Sequence, residues 1–176
     1  MIVLMAGLPG TGKSTLARAL AARISGRVLG KDEIHRAIFL PEEIEYSSGQ
    51  DDFCVQLMIA TAGYLLSRNP ARSIFLDGRP FSRRYQIENV LSMAASLHQP
   101  WRILECVCSE ETARRRLVGD AESGAHPAGN RDYQLYLEVK SRFEAITHTK
   151  KVIDTEQPLE TCVQQALAAL RDSRVL

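Results

Sequence analysis

Residues Gly7-Leu8-Pro9-Gly10-Thr11-Gly12-Lys13-Ser14 fit the pattern G-x-x-x-x-G-K-[ST] without a gap. The chemistry open to such a run is the holding of a chain of phosphates. Gly7 and Gly12 allow the backbone to turn its N–H groups inward, where a Cβ would obstruct an anion. Lys13 is then expected to reach the β- and γ-phosphates and the Ser14 hydroxyl to coordinate Mg²⁺. Leu8, Pro9, Gly10, Thr11 and Thr15 complete the cradle at the start of a helix whose dipole favours the same anion.

Two acids stand where such a cradle could use them. Asp77 closes the apolar run Ser73-Ile74-Phe75-Leu76, the pattern of a Walker B strand, and Asp32 follows the short run Arg27-Val28-Leu29-Gly30. A carboxylate with an ordinary pKa of about 3.9 is ionised at neutral pH and can accept a hydroxyl proton. Asp32 is also a good N-cap for the helix that follows, and the two roles are compatible. Arg114, Arg115 and Arg116 are consecutive, and helical neighbours point about 100° apart, so one or two of them at most can face a common ligand.

These residues need a scaffold, and the periodicities supply one. Ile2-Val3-Leu4-Met5 is an apolar strand feeding the loop, and Leu16, Leu20 and Ile24 mark the helix behind it. Further strands are expected at 27–30, 73–77, 101–108 and 151–154. Helices are expected between them, one of them amphipathic and spanning about 51–68 with Phe53, Leu57, Ala60, Tyr64 and Leu65 on one face. A helix bearing the three arginines ends near Val118, and Gly119 to Asp132, rich in Gly, Ala, Asp and Pro, reads as a lid loop. Strands alternating with helices predict an α/β fold in three αβα layers, with a five-stranded parallel sheet and a short lid at about 119–132.

The 176 residues fit one domain, 1–176. Lys plus Arg (22) nearly cancels Asp plus Glu (21), which argues against a global field recruiting nucleic acid. No apolar run is long enough for a membrane span, and no secretion signal is read. Four cysteines without zinc-like spacing suit a reducing, cytoplasmic setting, and Cys106 and Cys108 read as small buried hydrophobes sharing a strand face.

The phosphate loop, Asp32, the Leu76-to-Arg84 stretch, the arginine-bearing helix and the terminal Val152-Ile153-Asp154-Thr155 together resemble the small P-loop kinases grouped as AAA-type kinases, relatives of polynucleotide kinase, zeta toxin and chloramphenicol phosphotransferase. The resemblance covers nearly the whole chain and implies a P-loop NTPase fold that transfers phosphate from ATP with Mg²⁺. It gives Lys13 a catalytic role, assigns Asp32 to the acceptor hydroxyl, and assigns Ser14 and Asp77 to the metal. Arg79 and Arg83 fall where the family holds its acceptor. Relatives often carry Arg-Leu-x-x-Arg before the lid, whereas Arg116-Leu117-Val118-Gly119 is followed by Asp120 here, which makes Arg131 the substitute second arginine beside Arg116. Polynucleotide kinases place an arginine where this chain has His35, with Arg36 next to it as the candidate acceptor contact. The favoured reading is a kinase acting on a small-molecule hydroxyl. A 5′-hydroxyl nucleic-acid kinase and an ATP-binding regulatory module stay open on the same residues. The guanine-reading sequence Asn-Lys-x-Asp is absent.

Overall fold

Alternation along β1 (Ile2–Ala6) sets the layers. All five of its residues are 0% exposed, and a strand sends successive side chains to opposite faces. Ile2 and Leu4 therefore enter one apolar layer, while Val3 and Met5 enter the other. A strand buried on both faces needs helices on both sides.

The computed structural model describes residues 1–45, 47–123 and 132–171. After β1 come α1 (Lys13–Arg23), β2 (Arg27–Gly30), α2 (Lys31–Ile38), a 3₁₀ turn at Pro41–Glu43, α3 (Ser48–Arg68), β3 (Ile74–Asp77) and α4 (Arg84–Ser96). Then follow β4 (Trp101–Val107), α5 (Glu110–Ser123), α6 (Tyr133–Ser141), β5 (Lys151–Asp154) and α7 (Leu159–Arg171). The five strands pair in parallel in the order β2-β3-β1-β4-β5. The fold is the expected three-layer α/β arrangement of P-loop NTPases. None of the described helices is long and apolar enough to cross a membrane.

On one side of the sheet Ile2, Leu4, Ile74 and Leu76 meet α3 and α4 through Met58, Leu66 and Val90. On the other, Val3, Met5, Phe75 and Ile153 meet α1 and α7 through Leu16, Leu20, Val163 and Leu170. The register brings Gly30 of β2 beside Asp77 of β3, so α2 starts next to the end of the third strand.

Four local expectations are corrected. The face of α3 that packs inward is Cys54, Val55, Met58, Ala62 and Leu66, whereas Phe53 and Tyr64 are 48% and 68% exposed. This helix carries apolar residues on almost every side, so periodicity alone does not choose its face. It also starts earlier, at Ser48, with the Ser47 hydroxyl accepting from the Gln50 N–H. α2 begins directly after β2, with Gly30 rather than Asp32 at the N-cap, which leaves Asp32 inside the first turn. Finally, α5 continues through Gly119 and Asp120 to Ser123, so the start of the expected lid is helical. The rest of that lid, up to residue 131, lies outside the described residues.

Cys106 lies in β4 and is 0% exposed, whereas Cys108 sits past the strand's end and is only partly buried. Burial pushes the Cys106 thiol up to about 12 from 9.0, with Lys13 opposing in part. A folded state that holds this proton more tightly than the unfolded chain has its full contribution below about pH 9 and loses it as pH rises toward 12. Wild type should therefore lose stability above pH 9 more steeply than Cys106→Ala, by up to about 1.4 kcal/mol per pH unit. Urea midpoints between pH 8 and 11 check this, and parallel curves for the two proteins would refute it.

Candidate active site

The phosphate loop leaves β1 at Gly7. Three of its glycines take positive φ: Gly7 at 129°, Gly10 at 77° and Gly12 at 75°. A Cβ on Gly7 would collide with the carbonyl of Cys106, and one on Gly10 would come within 2.8 Å of the Ala113 carbonyl. The loop is thus pressed against the end of β4 and the first turns of α5. Lys13, 7% exposed at the start of α1, donates to the Leu8 carbonyl at 2.7 Å. Its ammonium is thereby held over the loop it serves.

Two cavities flank the loop, and Ser14 lines both. The first, about 350 Å³, is walled by Lys13, Asp32, Arg79, Tyr85 and Val139 among others. The second, about 460 Å³, is walled by Gly10, Gly12, Thr15, Arg18, Arg116 and Thr155. Arg116 crosses this second cavity from α5. Its Nη2 donates to the Thr155 carbonyl at 2.7 Å and its Nη1 to the Thr155 hydroxyl at 3.0 Å. Nη1 also reaches the Gly10 carbonyl at 3.4 Å. Its neighbours point elsewhere, as helical geometry requires: Arg114 lies over the Tyr133 ring, and Arg115 reaches Thr112. Asp120, in the position of the second family arginine, lines the same cavity.

In the first cavity Asp32 does not stand alone. The ammonium of Lys31 lies 3.1 Å from Asp32 Oδ1 and 2.5 Å from Asp51 Oδ1, and Lys31 is 7% exposed. Burial acts to lower its pKa, yet the two carboxylates outweigh burial and hold it raised. Asp77, 5% exposed at the end of β3, has an Oδ1 with no hydrogen-bond partner. Gly78 follows at φ 91°, where a Cβ would lie 2.9 Å from the Lys31 nitrogen. This glycine is what lets β3 end against the start of α2.

Arg79 and Arg83 both line the first cavity. Arg79 is 4% exposed and pairs with Asp52 at 2.6 Å, whereas Arg83 pairs with Glu144 at 3.0 Å nearer the surface. Arg36 is exposed on α2 and lines neither cavity. His35 is buried against Gln50 and Phe39 and has a packing role. Arg131 lies outside the described residues. The geometry adds Lys31, Asp51, Asp52, Tyr85 and Gly78 to the residues read from sequence. Of these only Lys31 carried a signal, being a cation next to the candidate acid, while Asp51 and Asp52 arrive from a helix whose packing the sequence leaves open.

The sequence profile of the family described as AAA domain matches residues 2–146. No curated protein matches the chain at a significant level. Several solved structures share the fold. The APS kinase CysC of Mycobacterium tuberculosis, solved with AMPPNP and APS, superposes with a TM-score of 0.72 at 14% identity, over 97% of each chain. A gluconokinase from Sinorhizobium meliloti 1021 gives 0.68 at 18% identity, over 96% of this chain and 90% of its own. Kti12 of Chaetomium thermophilum, solved with ADP-AlF3, gives 0.68 at 14% identity, over 97% of each.

The Lys31 bridge has a testable cost. Replacing Lys31 by Met leaves two largely buried carboxylates side by side without their cation. Lys31→Met should lower unfolding free energy by about 2 kcal/mol, the scale of losing hydrogen bonds to charged groups. Chemical denaturation at neutral pH measures it, and an unchanged midpoint would mean that the bridge contributes nothing net.

Proposed function

We propose, on the premise that the chain belongs to the AAA domain family, that it is a kinase moving the γ-phosphoryl group of ATP to a hydroxyl of a small molecule. The observation that carries this reading is the shared wall between the two cavities, with Ser14 lining both beside the phosphate loop. A nucleotide seated along Gly10, Gly12 and Thr15 would direct its terminal phosphate toward the cavity that holds Asp32. The APS kinase and gluconokinase neighbours are named for small-molecule acceptors, which agrees with this reading.

In the proposed reaction the acceptor oxygen attacks the γ-phosphorus, the bond to the β,γ-bridging oxygen breaks, and ADP leaves. The hydroxyl proton passes to the Asp32 carboxylate. Lys13 neutralises charge on the transferring group, with Arg116 and Arg131 proposed to add to it from the arginine helix and beyond. Ser14 and Asp77 would hold Mg²⁺, which supplies charge neutralisation on the phosphates. The buried, unpartnered Asp77 Oδ1 fits a hard cation. Among the described residues no group of three or more His, Cys, Asp or Glu could hold a metal, so phosphate oxygens and water would fill the remaining positions. We further take the chain to act as one domain in the cytoplasm, where its four free cysteines stay reduced.

Two features favour a small acceptor over a polynucleotide. A cavity of about 350 Å³ sits near the low end of ligand sites, which run from roughly 300 to 1,000 Å³. Of the exposed aromatics among the described residues, Phe53, Tyr64 and Tyr85, Tyr85 alone lines it, a thin platform for stacked bases.

Transfer of labelled phosphate from ATP to a hydroxyl-metabolite panel, with 5′-hydroxyl DNA and RNA oligonucleotides alongside, tests the reading. Efficient transfer to oligonucleotides alone would replace it with the nucleic-acid kinase. Lys13→Ala should reduce turnover by roughly 10³-fold or more through lost charge stabilisation. Asp32→Asn keeps the shape but removes the charge, so kcat should fall by roughly 10²-fold while calorimetric ATP affinity stays at the wild-type value. Full activity in Asp32→Asn would remove Asp32 from the chemistry.

A further inference from the structure

Among the buried charged side chains lining the acceptor cavity, Arg79 is the one that the described residues leave with an unpartnered donor. It follows β3 by two residues and is 4% exposed. Its Nη2 pairs with Asp52 Oδ1 at 2.6 Å and donates to the Tyr85 hydroxyl at 3.4 Å, and that hydroxyl donates back to Asp52 at 3.0 Å. The guanidinium is thus fixed from α3 and α4 at once. Its Nη1 is buried with no hydrogen-bond partner.

A guanidinium is a planar fork suited to gripping an oxyanion with two parallel hydrogen bonds. An arginine with only a structural role at this depth would close Nη1 on a backbone carbonyl, because a buried donor left unpaired is costly. Neighbouring cations are already answered: Lys31 by Asp32 and Asp51, and Arg83 by Glu144. Arg142, exposed and lining the same cavity, has no ion pair among the described residues. Glu138 lines it too, but is exposed and so screened by water.

We propose that the phosphoryl acceptor carries, besides its hydroxyl, an oxyanion group, a carboxylate, sulfate or phosphate monoester, that pairs with Arg79 Nη1 while the hydroxyl faces Asp32. This rests on the kinase reading and narrows its substrate class to small hydroxy acids and their sulfate or phosphate counterparts. Asp52 and Tyr85 are positioning residues that aim the guanidinium. Arg142 provides a second cation at the exposed part of the cavity wall.

The test uses the full chain with its phosphate loop filled by AMPPNP and Mg²⁺, so that added anions meet the acceptor cavity. Binding of acetate, sulfate and methyl phosphate is followed by calorimetry, and the preferred anion tells the three classes apart. Wild type should bind at least one of them. Arg79→Gln should weaken that binding tenfold or more, and Arg79→Lys, which keeps the charge but not the fork, should fall between, with AMPPNP affinity unchanged in both. Should Arg79→Gln fail to fold, Arg79→Lys still decides. No anion binding by wild type, or equal binding in wild type and variant, would overturn the proposal. Matched acceptors in the transfer assay, gluconate against sorbitol and glycerate against glycerol, separate the two ideas. Equal or better kcat/KM for the neutral partner overturns the anionic acceptor and leaves the kinase intact. Transfer to no compound at all sinks the kinase reading itself.

Discussion

The hydrogen on Gly78 faces the first peptide of α2, so close that a Cβ there would lie 2.9 Å from the Lys31 nitrogen. Much of the first cavity depends on this approach. With Gly30 paired beside Asp77, the ends of β2 and β3 converge, and residues from both enter one cavity: Lys31 and Asp32 from α2, and Arg79 from the loop after β3. A side chain at position 78 would have to adopt φ near 91°, a region that L residues rarely occupy, and would push the start of α2 away. Chain geometry brings these charges together before any of them pairs.

The loop chemistry was legible in the sequence because it is local. The spacing of Gly7, Gly12, Lys13 and Ser14 and the apolar strand before them fix a turn that needs no distant partner. The alternation of strands and helices was legible for a similar reason, since each element carries its own periodicity. The face of α3 was not: Phe53 and Tyr64 read as core yet are exposed, while Cys54, Met58 and Ala62 pack inward. A helix that is apolar on most sides takes its orientation from what it packs against, here Ile87 and Val90 of α4 and the sheet. The pairing of Lys31 with Asp51, and of Arg79 with Asp52, was illegible on the same ground. Both acids are consequences of how α3 is rotated.

Seen this way, the rotation of α3 links core and chemistry. The apolar stripe through Cys54, Met58 and Ala62 that seats the helix also turns Asp51 and Asp52, near its start, toward two buried cations. Burying such cations without these acids would be expensive. The packing of one helix therefore sets the electrostatics of the first cavity.

The two walls of that cavity are not equally stiff. Asp32 and Arg79 closely follow β2 and β3, whose last residues are buried in the sheet. The facing wall, Leu135, Val139 and Arg142, belongs to α6 and its end, and α6 is held through a small cluster in which Tyr136 packs with Ala113, Leu117 and Leu8. Its polar ties, Lys140 and Tyr133 to Glu110, are exposed, and exposed pairs contribute about 0–1 kcal/mol. Sparse apolar contact and solvated ties are the marks of an element that opens at low cost. The sheet side of the cavity is thus anchored in the core, and α6 only by this small cluster. Leu8 of the phosphate loop belongs to the same cluster as Tyr136, so α6 and the loop that holds Lys13 share one apolar contact region.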